Sequence, residues 1–406
     1  MAASITNLEQ GTVTTPRGFS AGGTYAGIKT LSEDKMDVGI LLSDAPCAVA
    51  GVFTTSSIVS PTVTVNRETI AAGNAVRGVV VNSGIANAGV GEQGYIDAKE
   101  MAALGASAMG VKPEEVLVCS TGVIGVELPM TLIEKGVNQI ELSSDGGNTL
   151  ARAMMTTDTH PKEAGVTLNL GGTEVHIGGV AKGSGMIHPN MATMLCFVAT
   201  DAAVDQDCLR SILPEVADSS LNMLTVDGDS STNDTLLVLA NGAAGNAPVT
   251  AGSPEADDLK DGLLEVCVQL TRQLAQDGEG ATRLLVVELE GARNKEDARA
   301  AARTIASSLL VKSAVYGADP NWGRLLAALG RSQAEAVETK LDLYINGVCI
   351  MEAGKPIPFH RNAVVALMRG TEVTFRVALN LGDARATAWG CDLTEEYVVI
   401  NSAYTT

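Results

Sequence analysis

A threonine hydroxyl is a poor nucleophile at its ordinary pKa and becomes a good one only when a base stands beside it. Thr193 has such a base within its own residue, the α-amine, but that amine is free only if the Ala192–Thr193 bond is cut. The surrounding run, Lys182-Gly183-Ser184-Gly185-Met186-Ile187-His188-Pro189-Asn190-Met191-Ala192-Thr193-Met194-Leu195, suits a cut. A Gly-Ser-Gly turn and a stiff Pro-Asn pair lead to a small residue. The apolar stretch from Met194 to Ala199 then reads as a strand that would fix the new terminus. The hydroxyl would serve twice. It would first attack the Ala192 carbonyl, giving an ester that water opens. With the α-amine (ordinary pKa about 7.7–8.0) taking its proton, it would then attack a carbonyl from outside. Taken alone, the run is better explained as a loop entering a buried strand, because Gly, Pro and Asn mark turns everywhere.

Acyl chemistry also needs donors aimed at a developing oxyanion. Ser120-Thr121-Gly122 follows the apolar run Val116 to Cys119, so a hydroxyl and a backbone N–H there can point into a cleft. The same triplet is an ordinary way to turn a strand. Lys182, in Gly-rich surroundings, reads as a solvated ammonium. Glu279 sits between Gly278 and Gly280, where a ligand can come close to bare backbone and an acid can shuttle protons, or where a turn merely exposes an acid. Thr156 opens Thr156-Thr157-Asp158-Thr159 at an expected helix end, as a ligand hydroxyl or a cap. Asn401 and Thr406 lie in a terminus of the kind that usually frays.

Three groupings fail on spacing. Gly89-Val90-Gly91-Glu92-Gln93-Gly94 fits G-x-G-x-x-G before a helix, but the expected strand ends near Asn82, so it reads as a flexible loop. Asp227, Asp229 and Asp234 lack EF-hand spacing and read as turn hydrogen bonds or support for a site. His160, His176, His188 and His360 show no paired spacing, so no metal is expected.

Short β-type runs alternate with helical ones throughout, which predicts an α/β layered architecture. Strands are expected at Val38 to Leu42, Ala48 to Thr54, Arg77 to Asn82, Val116 to Cys119 and Leu236 to Ala240, with a hairpin from Val166 to Val180. Helices are expected at Ile96 to Met109, Leu128 to Glu141, Glu255 to Gln276 and Lys295 to Leu310. The chain of 406 residues is 46% apolar but only 3% aromatic, with 43 Gly, which favours close packing of small side chains. A net charge of −19 argues against a nucleic-acid partner. Seven Cys without a C-x-x-C pair point to buried reduced thiols and a cytoplasmic location. No apolar stretch of membrane-spanning length and no secretory signal is expected.

The run from Lys182 to Leu195 resembles, nearly letter for letter, the self-cleavage and nucleophile segment of the ornithine acetyltransferase family, the bifunctional glutamate N-acetyltransferases of arginine biosynthesis. The resemblance covers the whole chain. It recurs in Ser120 to Gly125, Met155 to Thr159, Asp227 to Thr235, Asp277 to Thr282, Asp319 to Arg324 and Tyr397 to Thr406. One departure is that Gly89 and Val90 follow Asn87-Ala88, where the family often carries a Cys.

The resemblance implies an α/β sandwich with chemistry like that of N-terminal-nucleophile enzymes and a topology of its own. It implies cleavage into an alpha chain, 1–192, and a beta chain, 193–406, two of each forming a heterotetramer. It implies Thr193 as nucleophile and Thr121 and Gly122 as oxyanion hole. Thr156, Lys182, Thr193, Glu279, Asn401 and Thr406 would bind substrate, Lys182 taking an α-carboxylate and Glu279 an amine. Acetyl would pass from N2-acetylornithine to glutamate through acetyl-Thr193 with no cofactor, and acetyl-CoA, which some members accept, stays open as a further donor. Two rivals remain: an N-terminal-nucleophile amidase or aminopeptidase, with water as acceptor, and a dinucleotide-binding oxidoreductase built on Gly89 to Gly94.

Overall fold

Leu195–Thr200 and Thr235–Ala240 are buried along their whole length, the pattern of strands covered on both faces. The structure, a computed structural model, describes residues 5–29, 35–188 and 194–403. Among these, sixteen strands form two sheets. In chain order they are β1 Thr6–Asn7, β2 Phe19–Thr24, β3 Val38–Phe53, β4 Val76–Ile85, β5 Val116–Val123, β6 Lys162–Leu170, β7 Thr173–Lys182 and β8 Leu195–Thr200. They continue with β9 Leu224–Thr225, β10 Thr235–Ala240, β11 Leu284–Ala292, β12 Asp342–Ile345, β13 Val348–Glu352, β14 Lys355–Pro356, β15 Glu372–Ala378 and β16 Ala384–Cys391. The first sheet runs β1-β6-β7-β8-β10-β3-β4-β5, with β2 beside β3, and the second runs β14-β13-β12-β15-β11-β16-β9. Parallel pairs (β8 with β10, β4 with β5) mix with antiparallel ones. Gly171 and Gly172, at φ +59° and +94°, make the two-residue turn of the β6–β7 hairpin, where side chains are strained.

Alternate residues of the central strands serve different cores. Cys196, Val198, Leu236 and Val238 join the core shared with the helix Pro254–Gln276. Leu195, Phe197, Ala199, Leu237 and Leu239 join Leu150, Ala151 and Met154 of the helix Gly147–Met154 on the opposite face. The helix Pro254–Gln276 touches β6 and β7 of the first sheet and β11 and β16 of the second, so it binds the two sheets into one layered α/β sandwich. Among the described residues no helix is long and apolar enough to cross a membrane.

Several elements depart from the sequence reading. The two strands expected between Val38 and Thr54 are one, β3. Its register against β4 shifts between Leu42 and Cys47, so Ser43-Asp44-Ala45-Pro46 crosses as an irregularity rather than a turn. β5 runs on through Thr121 and Gly122 to Val123. The segment Gly89 to Gly94 is not a loop throughout: β4 continues to Ile85, and a helix spans Gly91–Met109. The expected helix from Lys295 to Leu310 is two, Lys295–Ala306 and Leu309–Tyr316, because the Ser308 side chain caps the second by accepting from the Val311 N–H. The helix expected from Leu128 to Glu141 spans only Met130–Val137.

Candidate active site

The parallel pairing of β4 with β5 sets Gly84 opposite Gly122. Gly122 has φ +129°, and a Cβ there would lie 2.2 Å from the Gly84 carbonyl carbon, so a side chain is excluded twice over. Beside it, the Thr121 hydroxyl oxygen accepts from Lys182 Nζ at 3.2 Å. That bond comes from an amine donor, so the Thr121 hydroxyl hydrogen is left to point elsewhere. Lys182 is no solvated loop residue. It ends β7, opposite Leu195 of β8, and is only 7% exposed. Burial pushes its pKa down, and the charge of Asp158 opposes that fall.

Asp158 organises the floor beneath Lys182. Its carboxylate accepts from Lys162 Nζ at 2.6 Å, from the Gly183 N–H at 2.7 Å and from the Thr156 N–H at 2.9 Å. Lys162 also donates to Asp277 at 2.6 Å, and its side chain is fully buried. Burial alone would raise the Asp158 carboxyl, but Lys162, Lys182 and the Gly183 N–H outweigh it and hold the acid well below the usual carboxylate range. Thr156 therefore follows the helix Gly147–Met154 on a segment tied to the same carboxylate that ties Gly183.

Glu279 is not an exposed turn acid either. It is 7% exposed, its N–H donates to Ser184 O at 2.9 Å, and its carboxylate accepts from Asn401 Nδ2 at 2.7 Å. A Cβ on Gly185 would strike that carboxylate at 2.4 Å, which explains the Gly-Ser-Gly approach. Asn401 comes from the helix Glu395–Ala403, so the chain's end is drawn to the cleft by an ordered helix.

Both flanks of residues 189–193 are pinned. On one side Asp227 accepts from the N–H groups of Met186 and Ile187, at 2.7 and 2.9 Å, and the Val226 N–H donates to Ile187 O. Asp227 thus supports this flank across a long stretch of chain, the second of the two roles its spacing left open, and also accepts a turn bond from the Asp229 N–H at 3.2 Å. Arg303 donates to His188 Nε2 at 3.1 Å, so Nδ1 carries the proton given to Thr225 Oγ1 at 2.9 Å. Burial and the Arg303 charge lower the His188 pKa to about 4, which keeps the ring neutral at neutral pH. On the other side the Thr235 N–H donates to Met194 O at 2.8 Å.

These groups line one cleft of about 800 Å³. Thr121, Gly122, Thr156, Lys182, Glu279 and Asn401 all reach it, and so do Met194 and Leu195, which follow Thr193 in the chain. Ala192, Thr193 and Thr406 lie outside the described residues. The family model for ArgJ matches residues 20–406.

The chain belongs to the ArgJ family. It is similar to the arginine biosynthesis bifunctional protein ArgJ of Symbiobacterium thermophilum, with 51% identity over 398 residues, 98% of this chain and 99% of that one. Among solved structures it is similar to the ArgJ protein of Bacillus halodurans (40% identity, TM-score 0.50), where 51% of this chain accounts for 98% of that chain. It is also similar to the ornithine acetyltransferase of Mycobacterium tuberculosis complexed with ornithine (34% identity, TM-score 0.43), with 47% of this chain and all of that chain covered. The chain is thus an arginine-biosynthesis enzyme of the ArgJ family.

The ArgJ cleft also holds groups that sequence reasoning missed. Lys29 lines it, as do Tyr397, whose hydroxyl bonds to Asp227 at 3.3 Å, and Asn233, whose side-chain amide donates to Ala86 O and Ser120 O. Asn233 ties β5 to the residue after β4, from a segment whose acids read as turn bonds or support for a site and whose asparagine has no role in the sequence reading. Gly89 to Gly94 lies away from the cleft lining.

Proposed function

We propose that this ArgJ-family protein cuts itself between Ala192 and Thr193 and then carries acetyl from N2-acetylornithine to glutamate through acetyl-Thr193. The observation that carries this reading is the convergence of Thr121, Gly122, Thr156, Lys182, Glu279 and Asn401 on one cleft at the start of β8.

In the first half-reaction Thr193 Oγ attacks the acetyl carbon while the Thr193 α-amine takes its proton. The Thr121 hydroxyl and the Gly122 N–H receive the oxyanion. The C–N bond breaks, the leaving nitrogen takes the proton, and ornithine departs. In the second, the amine of glutamate attacks the acetyl ester, Thr193 Oγ regains its proton, and N-acetylglutamate leaves. Lys182 meets the α-carboxylate that donor and acceptor share, and Glu279 meets an amine. No metal or cofactor enters, and acetyl-CoA is a further donor. The alpha chain, 1–192, and beta chain, 193–406, stay interleaved, because β7 and β8 pair directly across the cut, and two of each form the cytoplasmic heterotetramer. The half-length match to the Bacillus halodurans chain supports a cut of this kind.

The test compares acetylornithine with glutamate against acetylornithine in water, with labelled acetyl. Glutamate should speed ornithine release many-fold and acquire the label. Without glutamate the label should rest on the 193–406 piece. Equal ornithine release with and without glutamate, and no acetylated glutamate, would make the protein an amidase instead.

Thr121→Val should separate transition-state from ground-state roles. Valine keeps the shape and removes the hydroxyl, so kcat should fall by about 10²- to 10³-fold with KM nearly unchanged. Steady-state kinetics on the cleaved enzyme decides it: a raised KM at constant kcat would make Thr121 a ground-state contact.

A further inference from the structure

Lys29 is built into the cleft, and the chemistry so far leaves it without a task. The turn from Ala26 to Lys29 wraps around the fully buried Asp37. That carboxylate accepts four consecutive backbone N–H bonds: Ala26 at 2.7 Å, Gly27 at 3.1 Å, Ile28 at 2.6 Å and Lys29 at 3.2 Å. The backbone of Lys29 is therefore fixed. Its stem crosses Gly84, where a Cβ would come within 2.9 Å of Lys29 Cγ, and Gly84 is the partner of Gly122. Its ammonium donates to Met155 O at 2.6 Å, immediately before Thr156. One of three donors is spent there, and the side chain lines the cleft.

The cleft thus presents two built cations, Lys182 held at Thr121 and Lys29 held at Met155. A donor amino acid with an amine at its side-chain end has one carboxylate and needs one of them. An acceptor with two carboxylates uses both. Resting on the transfer reading above, we propose that Lys29 binds the side-chain carboxylate of the acceptor and so selects a dicarboxylic amino acid.

The charges facing Lys29 fit this role. Asp37 is consumed by backbone N–H groups and Asp158 by Lys162, Gly183 and Thr156, so neither satisfies the ammonium from the ligand side. Burial chiefly, with Lys182 and Lys35 adding to it and Asp37 and Asp158 opposing, brings the Lys29 pKa down to about 8. Lys29 is charged below that pH. A bound carboxylate favours the charged form, so glutamate affinity falls as pH rises past about 8.

The test measures binding of glutamate and of ornithine, separately, by calorimetry on the purified protein and on Lys29→Met and Lys29→Arg. Lys29→Met should weaken glutamate at least about tenfold more than it weakens ornithine, and Lys29→Arg should restore most of the ratio. The preference for glutamate over glutamine should collapse in Lys29→Met, and the loss of glutamate affinity above about pH 8 should vanish with it. Equal weakening of both ligands, or an unchanged preference over glutamine, overturns the assignment. So does a parent protein that binds ornithine but not glutamate. A parent that binds both yet transfers no acetyl defeats the transfer reading alone, and the Lys29 ratio still decides this one.

Discussion

Thr193→Ala is expected to purify as one uncut chain and to transfer acetyl at least about 10⁴-fold more slowly than the parent. The substitution removes the group that opens the Ala192 carbonyl, so no α-amine is released. It also removes the atom that would carry acetyl, so both losses come from one hydroxyl. The fold should survive. The flanks are held by the pairing of Lys182 with Leu195, by Asp227 under Met186 and Ile187, and by Thr235 against Met194, none of which uses the Thr193 side chain. Intact mass with a denaturing gel, the rate of acetyl transfer to glutamate, and a melting curve close to the parent's check the three parts. Thr193→Ser should retain some cleavage and some transfer, since hydroxyl and amine remain and only the methyl that stiffens χ1 is lost. Cleavage in Thr193→Ala would mean that an outside protease makes the cut. Full activity in an uncut chain would mean that the α-amine is not the base.

How much of this was legible depends on the distance over which each feature is determined. The apolar runs that became β8 and β10, the Gly171-Gly172 hairpin and the helix Pro254–Gln276 are local, and the sequence shows them. The helix even announces its start: the Ser253 side chain accepts from the Ala256 N–H, and Pro254 sits at the first turn. The same signal, Ser60 followed by Pro61, precedes the helix Pro61–Ala71 and could have revealed it. The break at Ser308 was readable as a cap but hidden within helical spacing. Lys182 and Glu279 looked solvent-exposed because their neighbours are glycines. Those glycines serve the opposite end, letting Glu279 press against Gly185 and the chain turn beside Lys182. Lys29 had no local signal at all. What fixes it, Asp37, Gly84 and Met155, is assembled only by the sheet and its loops. The resemblance supplied Thr121, Gly122, Thr156 and Asn401, and spacing alone could not have separated them from caps and frayed ends.

Asp158→Ala should do the most damage of any substitution away from the nucleophile, and it should do so through stability first. The Asp158 side chain is fully buried, and three donors converge on it: Lys162 Nζ, the Gly183 N–H and the Thr156 N–H. Alanine leaves Lys162 Nζ and the Gly183 N–H without this acceptor in the interior and the Thr156 N–H without it at the half-buried cleft wall, with Asp277 as the remaining anion for Lys162. Breaking a buried pair from one side typically costs about 3–5 kcal/mol, a large part of the about 5–15 kcal/mol that holds a protein folded. Lys182 also loses the anion that offsets its burial, so its ammonium becomes harder to keep charged and the α-carboxylate contact should weaken. The pH dependence gives an independent reading. Because the native Asp158 pKa lies below the ordinary value of about 3.9, its contribution is fully present above that pH and is lost as pH falls through the native value. Denaturant titrations from neutral to about pH 3 should therefore show an acid-side loss of stability in the parent that is shallower in Asp158→Ala. Adding Lys162→Met should recover part of the deficit, because it removes a buried ammonium that has lost one of its two carboxylate partners. A variant as stable as the parent at pH 7, with the same acid-side slope, would show that the cluster contributes nothing net, and that Thr156 and Gly183 are held by other contacts.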